Sequence, residues 1–289
     1  MNVQYDSLAT SSMMLFLDNR ICSESGFYNV SSNAYPINQT INGFNVWAFP
    51  YGQILYDNSI VGANQLSGIY MNNSWVQVGT SGFSGVSFDK SQLFFDPNYA
   101  PKIQSISGNY AIKEINVVLA AFPDITMLFE QKLGLRNKQI MVPTGLLNNQ
   151  LTYPAVFIEN ASAPSNSPWA LGGLDQTRSV FNIYFFGESL YQKTNFMSIC
   201  KDMAWKYVPL ITNPSDFPLN NIGYYKNNVP YNYNSLTANK ISAGQACLIE
   251  DVTITEFGKR GILSEIENMT TDAFFTLITV TCWTSRLTK

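Results

Sequence analysis

From Gly43 to about Leu119, apolar and polar positions alternate with a period close to two, and turn residues interrupt them often. That pattern predicts β structure. Phe44–Phe49 reads as a strand closed by Pro50-Tyr51-Gly52, and Gln53–Tyr56 resumes it. Gly68–Met71 and Trp75–Val78 flank Asn72-Asn73, and asparagine tolerates the positive φ that a tight hairpin turn needs. Val86–Asp89 and Gln92–Phe95 form a second hairpin around Lys90-Ser91. Ile103–Leu119 holds one or two strands, with Gly108-Asn109 as a bend or bulge. Together these predict a β-sandwich or small barrel of about six to eight strands. Before them, Leu8–Cys22 fits either a short helix or a first strand.

The pattern changes at Phe122-Pro123-Asp124, which places a boundary near residue 121 and divides the chain into 1–121 and 122–289. Asp124 can cap a helix over Ile125–Leu133 that Gly134 ends. Ala155–Glu159 is a short strand, and Thr177–Phe186 is the clearest strand in the chain. Phe181, Ile183 and Phe185 point to one of its faces, Val180, Tyr184 and Phe186 to the other, so it should be central or meet a partner on its second face. Ser189 and Gln192 have capping-box spacing at the head of a helix running to about Tyr207. Phe196, Ile199, Cys200, Met203 and Tyr207 form its apolar stripe, with Lys193, Lys201, Asp202 and Lys206 largely off it. The Pro-, Asn- and Tyr-rich stretch 209–245 reads as an insertion. Its aromatic content fits an arm packed on a neighbouring subunit or an ordered loop folded on its own domain. Ala246–Phe257 and Asp272–Thr284 close the chain as strands, with Lys259-Arg260-Gly261 beginning the turn between them. The predicted fold class is α+β: an N-terminal β-sandwich or small barrel, then a C-terminal α/β domain of order αββαββ with its sheet backed by helices.

Composition narrows the function. The chain has 289 residues, 46% hydrophobic but only 13% charged, about half the usual charged fraction. A polar, weakly charged surface suits burial against other proteins, because desolvating amides costs less than desolvating ions. The net charge is −3 and there is no basic block, which argues against a dedicated DNA reader. No window approaches the ~20 apolar residues of a membrane span, and no signal peptide is evident, so synthesis in a reducing cytoplasm is expected. Cys22, Cys200, Cys247 and Cys282 are scattered and read as free buried thiols.

Histidine is absent, which removes Ser-His-Asp and Cys-His nucleophile systems and every histidine-based metal site. Glu250 and Asp251 are adjacent on a predicted strand and so face opposite ways. Asp175, Glu188, Asp89 and Asp96 read as turn and cap residues, and Lys113-Glu114 as a solvated strand edge. Asp57-Asn58 lacks the repeating acids of a calcium loop. The Gly79–Gly85 run lacks the Lys-Ser/Thr ending of a phosphate loop and reads as a flexible hairpin loop. No residue is assigned a catalytic, cofactor-binding or metal-binding role.

From Asp124 onward the expected order is helix, strand, strand, helix, strand, strand, and after the first helix it is carried by Tyr153-Pro154-Ala155-Val156-Phe157-Ile158, the strand Thr177–Phe186, the helix Ser189–Tyr207 and the two last strands. In outline this resembles the tail-terminator family of long-tailed bacteriophages, small α/β proteins that form a hexameric ring capping the tail tube. Gly68-Ile69-Tyr70 through Asp96 and Ser107-Gly108-Asn109-Tyr110 are similar in texture to phage neck and baseplate proteins, and the compact terminator lacks such a domain. The resemblance implies a structural virion protein, made in the host cytoplasm, forming a ring at the neck (the head–tail junction) or the top of the tail tube. Implied partners are further copies in a hexameric ring, adjacent neck, connector, tail-tube or sheath proteins, and genomic DNA passing the lumen without sequence-specific contact. It implies no catalytic residue, no cofactor and no membrane. An alternative is a carbohydrate- or receptor-binding β module of a phage tail or baseplate, carried by Trp47, Trp75 and Tyr70. A third is a glycoside-type hydrolase using two acids.

Overall fold

The computed structural model describes residues 5–119, 154–168, 175–219, 225–256 and 274–286, apart from 25, 42, 52, 89, 100–102, 162–164, 188, 227 and 229. The expected helix Ile125–Leu133, the boundary near residue 121 and the turn at Lys259-Arg260-Gly261 lie outside these residues, as do Asp89 and Glu188.

The ambiguous N-terminal stretch is a helix, α1 (Tyr5–Ser23). Met13, Met14, Leu15 and Leu17 are all buried, so its apolar residues encircle the helix instead of lining one stripe. A helix apolar all round is one packed on several sides, which is why periodicity alone left it undecided.

Seven strands follow: β1 (Phe27–Ile41), β2 (Phe44–Ala48), β3 (Gly68–Met71), β4 (Ser74–Gln77), β5 (Phe83–Ser87), β6 (Gln92–Phe95) and β7 (Ile106–Lys113). They form one antiparallel sheet of order β4-β3-β7-β1-β2-β6-β5. The Asn72-Asn73 hairpin is present, with both asparagines at positive φ. Gln53–Tyr56 does not resume a strand. Gln53 itself has positive φ, and only a single bridge, Ile54 to Ile112, forms there. Gly108-Asn109 is not a bend. β7 runs straight through it, and a Cβ on Gly108 would lie 2.7 Å from the Phe49 ring, so the glycine admits an aromatic side chain from below. The bend falls later, at Glu114-Ile115. The Gly79–Gly85 run is a loop only at first, and its last residues belong to β5.

Past that bend the chain enters a second sheet: β8 (Asn116–Leu119), β9 (Ala155–Asn160), β10 (Ser165–Pro168), β11 (Asp175–Gly187), β12 (Tyr207–Pro209), β13 (Ala246–Glu256) and β14 (Phe274–Arg286). Its order is β12-β13-β14-β11-β9-β8, and β10 also pairs with β11. β8 and β9 are the one parallel pair among the described strands. As expected, β11 is central, flanked along its length by β14 on one side and by β9 and β10 on the other.

The α+β expectation is overturned. The protein is mostly β, two curled, barrel-like sheets with few helices, and the described residues do not support an α+β domain of order αββαββ. Two causes are visible. β8 crosses from the front half of the chain into the second sheet. The long expected helix is also short: α2 spans Leu190–Lys201 and stops at Asp202. Its start is as expected, with the Ser189 hydroxyl accepting from the Gln192 amide. After Asp202 the chain turns, Trp205 takes positive φ, and Tyr207–Pro209 pairs with β13 as a strand. Phe196, Cys200 and Met203 are buried and Ile199 half-buried, but Tyr207 is exposed. Lys193, expected off the stripe, is buried, and its ammonium reaches Glu256 at 3.2 Å.

One hydrophobic core runs through both sheets. Leu15 and Leu17 of α1, Phe83 and Tyr110 of the first sheet, Ile183 and Phe185 of the second and Phe196 of α2 all belong to it. The Phe185 and Phe196 rings stack at 4.7 Å. All four cysteines are buried and free. No described helix is long and apolar enough to cross a membrane.

Candidate functional site

Two clusters concentrate the polar chemistry, one buried and one exposed. The buried one joins Asp18 of α1 to Lys113 at the end of β7, with 2.6 Å between Nζ and Oδ2. Both side chains are almost free of solvent, at 2% and 5% exposure, so the expected solvated edge at Lys113 is wrong. The Tyr225 and Tyr231 hydroxyls donate to the same Oδ2 at 3.0 and 3.4 Å. The Tyr225 and Tyr56 rings lie 4.9 and 5.3 Å from Nζ, close enough for their negative faces to stabilise the ammonium. Burial alone pulls the lysine pKa down, but the Asp18 carboxylate beside it more than reverses this and holds it well above the ordinary value. Burial, and then Asp18, push the Tyr225 hydroxyl up. Burial also dominates the upward shifts of Tyr231 and Cys22. A lysine kept charged, a thiol kept protonated and neutral phenols cannot act as base or nucleophile near neutral pH. The cluster is a lock between α1, β7 and the two tyrosines Tyr225 and Tyr231.

Beside it, Asp57 is buried in a hydrogen-bond hub. Its carboxylate accepts from the Ser59 amide and hydroxyl, the Asn19 side chain and the Tyr233 amide, at 2.8–3.0 Å. The Tyr233 contact fixes the start of a short helix, α3 (Tyr233–Thr237). Three of these donors meet at Oδ1 and the Asn19 side chain reaches Oδ2. Phe217, Leu219, Tyr225, Tyr231 and Tyr233 are all buried in the chain's own core. Of the two readings of stretch 209–245, the described part takes the ordered loop folded on its own chain. Asn228 extends that role. Its side chain accepts from the Val86 amide while its own amide donates to the Val86 carbonyl at 3.0 Å, which closes the free edge of β5.

The other acids are scattered. Asp96 accepts from the Asn98 amide in a turn. A bulge in β13 between Ile249 and Asp251 breaks the strand alternation, and Glu250 and Asp251 are both exposed. Asp175 opens β11.

The exposed cluster lies on the outer face of the first sheet. Residues directly opposite in an antiparallel ladder share a face. Trp75 is opposite Tyr70, Tyr70 is opposite Ser107, and Ser107 is opposite Asn33. These four form one row across β4, β3, β7 and β1, and Asn109 and Ser31 form a second pair beside it. Three inter-strand spacings make the row about 14 Å long. Tyr70 and Trp75 are 42% and 52% exposed and meet edge to face at 5.1 Å. Trp75 is seated by Gly68 of the same face, where a Cβ would come within 2.6 Å of the indole. The hairpin tip is tied down by Asn72, whose side chain accepts from the Gln104 and Ser105 amides. No Asp, Glu, Lys or Arg occurs among residues 58–88 or in β1. Of the three aromatics marked in the sequence, Trp47 is half-buried and packs against the core. Ser107 and Asn33 were missed, because their place in the row depends on a β1–β7 pairing between residues more than 70 positions apart.

Comparison with protein-family models and with curated proteins finds no match.

Proposed function

We propose that this chain is a virion protein of a tailed phage that works by surface recognition and not by catalysis, as a carbohydrate- or receptor-binding β module of the tail or baseplate. The uncharged row Trp75–Tyr70–Ser107–Asn33 carries this reading. A seated aromatic pair followed by amide and hydroxyl groups offers a rigid stacking surface and directional hydrogen bonds without the cost of desolvating a charge. Binding of the purified full chain to cells of a host range, and to polysaccharide extracted from them, tests it. Saturable binding to some strains is expected, and uniform absence of binding would remove the reading.

A second reading, a structural ring at the neck made of copies of this chain, is favoured by different residues. Leu190 and Tyr191 at the head of α2, and Trp205 and Tyr207 beyond its end, are 59%, 73%, 69% and 51% exposed, in a protein with few surface charges. Large exposed apolar groups of this kind mark protein contacts. The element order that pointed to a tail terminator is not part of this fold, so the ring rests on these residues alone. Size-exclusion chromatography with light scattering, followed by negative-stain images, decides it: a closed ring supports this reading, and a monomer at high concentration removes it.

A further inference from the structure

We propose that the row Trp75–Tyr70–Ser107–Asn33 binds a neutral glycan built of pyranose units. This rests on the recognition reading above and names its site and ligand class. The aromatic end supplies a face with negative π density, which attracts the polarised C–H groups on the apolar side of a pyranose ring. Gly68 gives the Trp75 indole its seat, and Asn72 anchors the turn that carries it, so little freedom is lost on binding. The other end presents Ser107, Asn33, Asn109 and Ser31, whose amides and hydroxyls can both donate and accept, as sugar hydroxyls do. At about 14 Å the row is longer than one ring, which favours an oligosaccharide lying across the strands. The ligand class follows from charge. The hairpin and β1 carry no charged side chain to pair with a uronate, sialate or phosphate, and an anionic glycan would have to give up its hydration for nothing. A protein partner is the competing occupant and is an outcome of the test.

The test is an array of neutral and acidic oligosaccharides probed with the full chain, followed by calorimetric titration of the best neutral ligand. Trp75→Ala, Trp75→Phe, Asn33→Ala and the remote control Tyr191→Ala are compared, each with its melting curve. The expected result is binding to neutral glycans that Trp75→Ala weakens about tenfold, the size of a lost aromatic contact. Trp75→Phe should retain most of it, Asn33→Ala should weaken it less than Trp75→Ala does, and Tyr191→Ala and all melting curves should be unchanged. Neutral-glycan binding indifferent to both Trp75 variants would overturn the site while leaving the recognition reading standing. Binding to acidic glycans alone would overturn the ligand class. No glycan binding, with Trp75→Ala altering only the assembly size, would overturn the proposal and make the row a protein contact. Host-cell binding that survives without any glycan ligand would show that recognition uses another receptor.

Discussion

At the scale of residues, the Asp18–Lys113 pair dominates. Two charges out of water are seldom a net gain, yet removing one partner leaves the other stranded. Lys113→Met is therefore expected to cost about 3–5 kcal/mol in chemical denaturation. Asp18→Asn combined with Lys113→Met removes both charges and keeps an acceptor for Tyr225 and Tyr231, so the double variant should lose less than Lys113→Met alone. The cluster also predicts a pH dependence. Lys113, Tyr225 and Tyr231 all hold their protons more tightly in the folded chain than in the unfolded one. Their contribution is thus complete below the unfolded values of about 10, and falls as pH rises through them, because the unfolded chain sheds those protons first. Melting temperature should drop steeply above that pH, and Tyr225→Phe with Tyr231→Phe should flatten the drop. None of this was legible in the sequence. Lys113 sits beside Glu114 in an alternating strand, and its partner is 95 residues away on a helix whose own type was undecided.

At the scale of elements, local chemistry was legible where it was self-contained. The Asn72-Asn73 hairpin, the Ser189 cap and the two-faced strand β11 follow from neighbouring residues alone. What failed depended on distant partners. β1 has no clean alternation, and its order comes from pairing β7 with one half and β2 with the other. Pro36 lies two residues past the last β7 pair, where β1 is an edge on that side and the missing N–H does least harm. α2 ends early because β13 captures Tyr207–Pro209. Edges of sheets are liabilities, and β5 is covered by Asn228, whose side chain and backbone amide both bond to Val86. Asn228→Ala is expected to leave the melting midpoint nearly unchanged but to raise light scattering on prolonged warming. Equal scattering from variant and parent would show that the edge is guarded in some other way.

At the scale of the whole molecule, the chain's two sheets share a core, and α1 packs against the second sheet while Asp18 ties it to Lys113 of the first. This predicts one unfolding transition, with tryptophan fluorescence and far-ultraviolet circular dichroism changing together. Two separated transitions would mean that the front and back of the chain are independent domains. The exposed row belongs to this scale too. Its aromatics could be read from a hairpin, but the row exists only because four strands meet in one register. The same long reach governs α1. Its Ser12 hydroxyl accepts from the Ile211 amide, and Asp18 takes its tyrosine from 207 positions further on. On a ribosome adding about 5–20 residues per second, the helix emerges roughly 10–40 s before that tyrosine is made. For that interval α1 is an apolar rod without its lid, and the chaperones of the producing cell have to shield it until the distant tyrosine arrives.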